Sequence, residues 1–344
     1  MKIKKLAPGL VSISLVFVFL SVCLLIGEND CAAQAPQTYN WKMVLARPSG
    51  AIPNIPFIEF ANEVQKRSNG RIKITTYEAT LGSPGDFWDM VKNNVVQLAV
   101  NGEGYSPGRM PLTTVIGLPF EIEGAKMCDN ILTKLFSSGR LSELSDNFKV
   151  LFFVPTNPHM MFLKKKVTKM EDLKGLKLAP VPGMGSLLVK ALGASPNIVP
   201  GAERYMALQT GMIDGVITMV DDVVDRKFYE VAKYGLKVPL YNGTYVLTMN
   251  LEAYNALPND LKAILSDAAQ KAHDNEMKRN ALYVDECWAK LAKSGMEVYT
   301  IEPAELARWR KAASDIPEQW IANNPKVPAR ETLQFVRDIV KGSK

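Results

Sequence analysis

The 344-residue sequence contains little histidine and no motif of a common catalytic site. Its two histidines, His159 and His273, lie far apart, so a metal site built on histidine and cysteine is not expected. The chain has no G-x-S-x-G nucleophile motif and no glycine-rich loop of the G-x-x-x-x-G-K-[ST] or G-x-G-x-x-G kind. Asp221 and Asp222 are neighbours in sequence and would point apart, which makes them a poor catalytic pair. The sequence therefore predicts neither an enzyme nor a bound cofactor or metal.

Long runs of one charge are also absent. Lysine and arginine (41) and aspartate and glutamate (35) are mixed along the chain, and the formal net charge is +6. Without a basic stripe interleaved with aromatic residues, nucleic-acid binding is a poor interpretation. The composition, 47% hydrophobic and 22% charged, is that of an ordinary globular protein, and the length predicts two domains.

The N-terminus has the pattern of a secretory signal peptide. Lysines within residues 2–5 precede an uncharged apolar run at residues 10–26, and Ala33-Gln34-Ala35 offers a small-residue cleavage site. We therefore expect residues 1–35 to be removed on export. A retained membrane anchor is one alternative, and a lipoprotein is another, although neither Cys23 nor Cys31 follows a small residue.

Export would leave two cysteines, Cys128 and Cys287. An oxidising compartment permits a disulfide between them, but two distant cysteines carry no spacing signal. A disulfide and two separate thiols both remain open from the sequence.

Strand-like and helix-like segments alternate along the mature chain. Repetition of this order predicts an α/β protein with open, mostly parallel sheets and helices on both faces. The predicted strands and helices include strands at 41–46, 71–75, 97–100, 150–154, 176–178 and 216–219, and helices at 57–68, 87–93, 186–192 and 205–210. A much longer helix is predicted over residues 257–293, ending before Gly295. It would be about 50 Å long, which is longer than one small lobe, so we expect it to bridge two lobes.

Three sequence segments carry a specific resemblance. They read MEDLKGLKL at residues 170–178, ALGASP at 191–196 and ERYMALQTGMIDG at 203–215. The same order and gaps are typical of solute-binding subunits of tripartite ATP-independent periplasmic (TRAP) transporters, which this chain resembles over nearly its whole mature length. SNGRI at 68–72 and GLPF at 117–120 are similar to the same family.

The resemblance implies a two-lobed periplasmic binding protein of type II-like fold. Lobe I would comprise residues 36–155 and 245–284, and lobe II residues 156–244 and 285–344, with hinges near 154–158 and 242–246. It also implies a periplasmic protein that closes on a small organic acid and delivers it to a small and a large integral membrane subunit.

One departure from the family pattern bears on the ligand. The resemblance implies an arginine directly after the strand that ends at Leu178, where it grips a ligand carboxylate with two parallel hydrogen bonds. This chain has Ala179 there, followed by Pro180. The departure predicts an aromatic or branched organic acid whose carboxylate is held elsewhere.

Further candidate ligand contacts lie after predicted strands, where the edges of the two lobes would meet. Arg47 is the favoured replacement anchor for an anion, and a solvated loop arginine is the alternative. His159 either contacts ligand or bonds to hinge backbone, and Trp88 either lines the cleft or packs in a helix core. The remaining candidates are Glu103, Tyr105, Met161, Thr218, Met219, Asp222 and Tyr241.

Three other functions compete with this one. A binding protein of an ATP-driven (ABC) importer or of a sensor kinase would share the architecture and differ only in its partner. A periplasmic enzyme would need a nucleophile or an acid–base pair in the cleft. A scaffold without a ligand would be stabilised by no metabolite.

Overall fold

The computed structural model describes residues 37–47, 49–78, 80–106 and 108–343. The predicted signal peptide lies outside the described residues, and so does the side chain of Glu103. The strands are β1 Tyr39–Leu45, β2 Ile72–Glu78, β3 Leu98–Gly102, β4 Phe148–Pro155, β5 His159–Leu163, β6 Lys177–Ala179, β7 Ser195–Pro196, β8 Gly215–Thr218, β9 Tyr234–Tyr241, β10 Thr244–Asn250 and β11 Glu297–Tyr299. The helices are α1 Ile55–Arg67, α2 Phe87–Lys92, α3 Ala125–Ser137, α4 Ser142–Ser145, α5 Met184–Ala191, α6 Arg204–Thr210, α7 Val220–Asp225, α8 Leu251–Asn255, α9 Asn259–Lys293, α10 Pro303–Ala312, α11 Ile316–Asn323 and α12 Ala329–Gly342.

The strands form two sheets. The first has the order β2-β1-β3-β10-β4 and the second the order β11-β9-β5-β8-β6-β7. The α/β class is as expected, but the sheets are mixed rather than mostly parallel. β10 runs antiparallel to both β3 and β4, and β5 runs antiparallel to both β8 and β9. The chain crosses between the sheets twice, from β4 to β5 and back from β9 to β10, and the strand that enters each sheet runs against its neighbours.

The two crossings are short and bonded to each other. β4 ends at Pro155 and β5 begins at His159, while β9 ends at Tyr241 and β10 begins at Thr244. The Thr156 N–H donates to Gly243 O over 2.8 Å, and the Gly243 N–H donates to Thr156 Oγ1 over 2.9 Å. These connections coincide with the predicted hinges, whose motion stays a prediction.

Helix α9 is 35 residues long and connects the two sheets from one side. Its first half places Leu261, Leu265 and Ala268 in the hydrophobic core between the first sheet and α1. Its second half places Cys287 and Leu291 in a separate core on the second sheet. The predicted long helix is thus confirmed, and one face of each half is apolar as its spacing requires.

The C-terminal helices contact both sides of the molecule. The Trp320 indole N–H donates to Thr114 Oγ1 over 2.8 Å, while Glu305 accepts the N–H of Met170, just before β6, over 2.7 Å. The assignment of residues 285–344 to lobe II stays a prediction. No helix in the described part of the chain combines the length and apolarity that a membrane crossing requires.

The two cysteines lie in different cores. Cys128 packs in the large core that also contains Trp309 and Trp320, whereas Cys287 packs under the second sheet. In this structure they form no disulfide with each other.

Candidate functional site

A buried ion pair joins the ends of the two sheets. Arg47 follows β1 and its Nη1 lies 2.7 Å from Oδ1 of Asp222, in α7. The same carboxylate accepts from Arg226 Nε over 2.8 Å and from Thr218 Oγ1 over 2.7 Å. Arg47 Nη2 also donates to the Tyr245 hydroxyl over 3.3 Å. The sequence-predicted residues Arg47, Thr218 and Asp222 therefore meet in one hydrogen-bonded network.

The adjacent carboxylates have opposite electrostatic environments. Burial alone would raise the pKa of Asp222, but the guanidinium groups of Arg47 and Arg226 outweigh it and hold that pKa well below its usual range. For Asp221 burial dominates, and the pKa is raised although Asn157 Nδ2 donates to Oδ1 over 2.9 Å. Asp222 is thus a permanent anion whose charge is used within the protein.

On the second sheet, His159 and Tyr241 form a ring stack. They face each other on β5 and β9, with ring centroids 4.5 Å apart and planes 13° from parallel. Burial, and then the nearby charge of Arg204, lowers the pKa of His159 to about 3. His159 is therefore neutral at physiological pH, and its Nδ1 is buried without a hydrogen-bond partner in the described part of the chain.

Arg204 is a functional candidate that sequence reasoning missed. It begins α6 and is only 7% exposed. Its Nε donates to Val199 O over 3.0 Å and its Nη2 to Pro180 O over 2.9 Å. The sequence did contain one sign that Arg204 is buried. Arg204 precedes the apolar residues Ala207 and Leu208 by three and four positions, so it shares their buried helix face.

The two sides touch directly near the ends of β3 and β6. Gly104, which follows β3, is so close to Val181 that a Cβ added to it would lie 2.5 Å from Val181 Cγ1. Beside this contact the rings of Tyr105 and Tyr245 lie 6.5 Å apart. Tyr105 is half-exposed, which leaves part of its ring at the rim between the sheets.

A small cavity lies where both crossings meet α9. Its volume, counted as positions open to the centre of a water molecule, is about 30 Å³, which is room for a few water molecules. The cavity is lined in part by Arg47, Asn157, Met219, Asp221, Tyr245 and Asn280.

The remaining predicted site residues are dispersed. Met219 lines the cavity, but Trp88 packs in the core with its ring 5.0 Å from that of Phe148. Met161 and Ala179 are fully buried, Met161 within β5 and Ala179 at the end of β6. For Trp88 and Met161 this geometry favours a core role over a cleft role. Among the described residues, no group of histidine, cysteine, aspartate and glutamate side chains is placed to hold a metal ion.

Comparison with known proteins shows where this architecture occurs. The family model described as bacterial extracellular solute-binding protein, family 7, matches residues 54–323. A curated relative, the ectoine/5-hydroxyectoine-binding periplasmic protein of Ruegeria pomeroyi, is 24% identical over 322 residues, which cover 90% of this chain and 92% of the relative. The monocarboxylate 2-oxoacid-binding periplasmic protein of Nostoc sp. is 26% identical over 295 residues, with 81% and 78% covered.

Solved structures agree with the fold. A TRAP solute-binding protein from Rhodoferax ferrireducens, in complex with copurified benzoate, superposes with a TM-score of 0.80 at 25% identity and covers 89% of this chain and 98% of its own. A marine metagenome TRAP protein specific for aromatic acids, in complex with 3-hydroxybenzoate, gives a TM-score of 0.81 at 24% identity, with 89% and 99% covered.

Two sheets joined by paired crossings, with polar residues between facing strand ends, define an α/β solute-binding protein. The chain belongs to the bacterial extracellular solute-binding protein family 7 and is a solute-binding subunit of the TRAP type. This confirms the resemblance and the fold class. The family is periplasmic or extracytoplasmic, consists of solute-binding proteins rather than enzymes, and works with membrane permease subunits.

Proposed function

We propose that this chain captures a small monocarboxylate, aromatic or branched, between its two sheets and delivers it to TRAP membrane subunits. The observation that carries the proposal is a pair of buried arginines, Arg47 and Arg204, whose charges both act on the His159–Tyr241 ring stack. Buried cations favour an anionic guest, and flat rings favour a flat one.

The charge balance supports an anionic ligand. Arg47 and Arg226 share the single carboxylate of Asp222. Arg204 forms an ion pair with no described carboxylate. This surplus of positive charge suits a carboxylate, and relatives whose names carry benzoate, 3-hydroxybenzoate or monocarboxylate 2-oxoacids support a monocarboxylate.

Capture would proceed by closure of two lobes about the crossings near residues 154–158 and 242–246. Candidate contacts from the first lobe are Arg47, Glu103 and Tyr105, and those from the second are His159, Thr218 and Tyr241. Contacts that exist only when both lobes meet would supply the free energy of closure. Export by a signal peptide at residues 1–35 would place the protein where the membrane subunits can receive the ligand.

A thermal-shift screen followed by calorimetry tests the ligand class. The mature chain would be titrated with benzoate, 3-hydroxybenzoate, 4-methyl-2-oxopentanoate and succinate. A monocarboxylate at about 100 times its Kd should stabilise the fold by about 2.7 kcal/mol. Mass spectrometry should recover that ligand unchanged. The proposal fails if no monocarboxylate binds, or if succinate binds more tightly than all of them.

A further inference from the structure

Arg204 is a buried cation that forms no ion pair with a described carboxylate, although the charge of Asp222 acts on it from nearby. Of the five N–H groups of a guanidinium, one on Nε and one on Nη2 donate to backbone carbonyls of Val199 and Pro180. The other three have no hydrogen-bond partner among the residues that the structure describes. Burial lowers the pKa of this guanidinium, which measures how unfavourable the charge is in its surroundings.

Arg204 lies close to the residues of the proposed cleft, since its charge acts on His159 and is itself affected by Asp222, Tyr241 and Tyr105. Pro180, whose carbonyl it holds, directly follows Ala179 at the end of β6. The charge is close enough to His159 to contribute to the lowered pKa of that imidazole. The buried His159 Nδ1 has no hydrogen-bond partner in the described structure, and a buried polar atom of this kind usually has one.

We propose that Arg204 binds the carboxylate of the ligand, and that it replaces from α6 the guanidinium that the family resemblance places at position 179. The inference rests on the proposed function, because it assumes that an organic acid binds between the sheets. Arg204 thereby becomes the residue that selects an acid over its neutral analogue.

The chemistry of a guanidinium supports this role. Three N–H groups in a rigid plane can donate two parallel hydrogen bonds to one carboxylate. Arg47 is less suited, since Asp222 already occupies its Nη1. Burial makes the charge of Arg204 unfavourable in the empty protein and the more distant Asp222 offsets only part of this cost, so a ligand anion gains more at Arg204 than at a directly paired arginine.

A purely structural role is the competing explanation, because Arg204 also connects Val199 O to Pro180 O. A comparison of benzoate with benzamide separates the two roles. The ligands have nearly the same shape, and only benzoate carries a charge. A structural arginine would affect both affinities alike, whereas a carboxylate anchor affects only the first.

The experiment measures Kd for benzoate and benzamide by calorimetry with the wild type, Arg204→Met and Arg204→Lys. We expect Arg204→Met to lose about 100-fold in benzoate affinity and to bind benzamide as the wild type does. Arg204→Lys keeps the charge but not the planar guanidinium, and should lose about 10-fold in benzoate affinity. This variant still tests the proposal if Arg204→Met fails to fold. The control Arg308→Met removes an arginine that pairs with Glu305 on the outer surface, and it should change neither Kd.

A transplant variant adds a positive test. Arg204→Val combined with Ala179→Arg moves the guanidinium to the family position and should regain at least about 10-fold in benzoate affinity over Arg204→Val alone. An unchanged ratio of benzoate to benzamide affinity in folded Arg204→Met or Arg204→Lys would overturn the role of Arg204 and leave the proposed function intact. Failure of the wild type to bind benzoate, 3-hydroxybenzoate or 4-methyl-2-oxopentanoate would instead overturn the proposed function, and the inference with it.

Discussion

Arg47 and Asp222 are 175 residues apart in sequence, yet Nη1 of one lies 2.7 Å from Oδ1 of the other. Arg47 follows a strand of the first sheet, and Asp222 lies in the helix after a strand of the second. Both side chains are at least nine-tenths buried. A buried contact of this kind makes the packing of the two sheets depend on the charge of Asp222, which Arg226 also binds.

Asp222→Asn should therefore be strongly destabilising. The substitution leaves Arg47 buried without a counter-charge, and breaking such a pair costs about 3–5 kcal/mol. Urea unfolding at pH 7 measures the loss. Asp267→Asn is the matched control, because it breaks an exposed pair with Arg67 and should cost less than about 1 kcal/mol. Equal losses in the two variants would contradict the importance given to the buried pair.

A side chain at position 104 should keep the two sheets from meeting. A Cβ at Gly104 would lie 2.5 Å from Val181 Cγ1, so Gly104→Val should lower ligand affinity by about 10-fold or more. Small-angle scattering should show a larger radius of gyration for the liganded variant than for the liganded wild type. Gly342→Val, at a glycine with open space around it, should bind normally. Normal affinity and compactness in Gly104→Val would argue against lobe closure at this contact.

His159 should make the fold less stable in acid. Its pKa is about 3 in the folded protein, mainly because of burial, against an ordinary value of 6.5. Between these values the unfolded chain binds more protons than the folded one, so the free energy of unfolding falls as pH falls, by up to about 1.4 kcal/mol per pH unit. The contribution is complete above pH 6.5.

Urea unfolding of His159→Gln and wild type between pH 4 and 8 isolates this effect. The stability difference between the two should shrink steadily below pH 6.5. His273→Gln should show the opposite pH dependence. The hydrogen bond with Asp129 raises the pKa of His273, so the stabilisation that His273 provides is lost as pH rises. Parallel pH curves for His159→Gln and wild type would show that the imidazole is not held neutral.

Cys287 should be nearly inert in the native protein. Burial raises the pKa of its thiol to about 12, so the reactive thiolate is scarce at pH 8. Ellman's reagent should label Cys287 slowly until denaturant is added, and quickly afterwards. A Cys128→Ser variant reports Cys287 alone. Rapid labelling without denaturant would contradict the buried environment.

The local elements were predictable because their signals are local. The end of α6 was predictable because glycine tolerates the positive φ that often terminates a helix, and Gly211 has a φ of +78° there. The long helix follows from apolar spacing between Pro258 and Gly295. The strand directions were harder, since alternation of strands and helices does not reveal that β5 and β10 run against their neighbours.

The site was only partly predictable for the same reason. Thr218 and Asp222 are four residues apart, and their contact follows from local geometry. Their contact with Arg47 depends on how the two sheets face each other. Local sequence patterns do not reveal that arrangement. Arg204 lies in the segment at residues 203–215 that resembles the family signature. The sequence accounts for the residues of that segment through a helix and the turn that follows it, so Arg204 was not singled out as a ligand contact.

The middle of α9 has a different character from its two ends. Between Glu276 and Cys287 no residue of this helix is fully buried, and several contacts there are polar, although Tyr283 and Val284 pack against the core of the second sheet. Asn280 exchanges two amide hydrogen bonds with Asn157, at 2.9 and 3.0 Å, and Arg279 donates to Glu59 over 2.7 Å. Water can replace such bonds at little net cost, whereas separating packed apolar groups is unfavourable. Rearrangement is therefore less costly in the middle of α9 than at its packed ends, and we expect any bending of this helix to occur there.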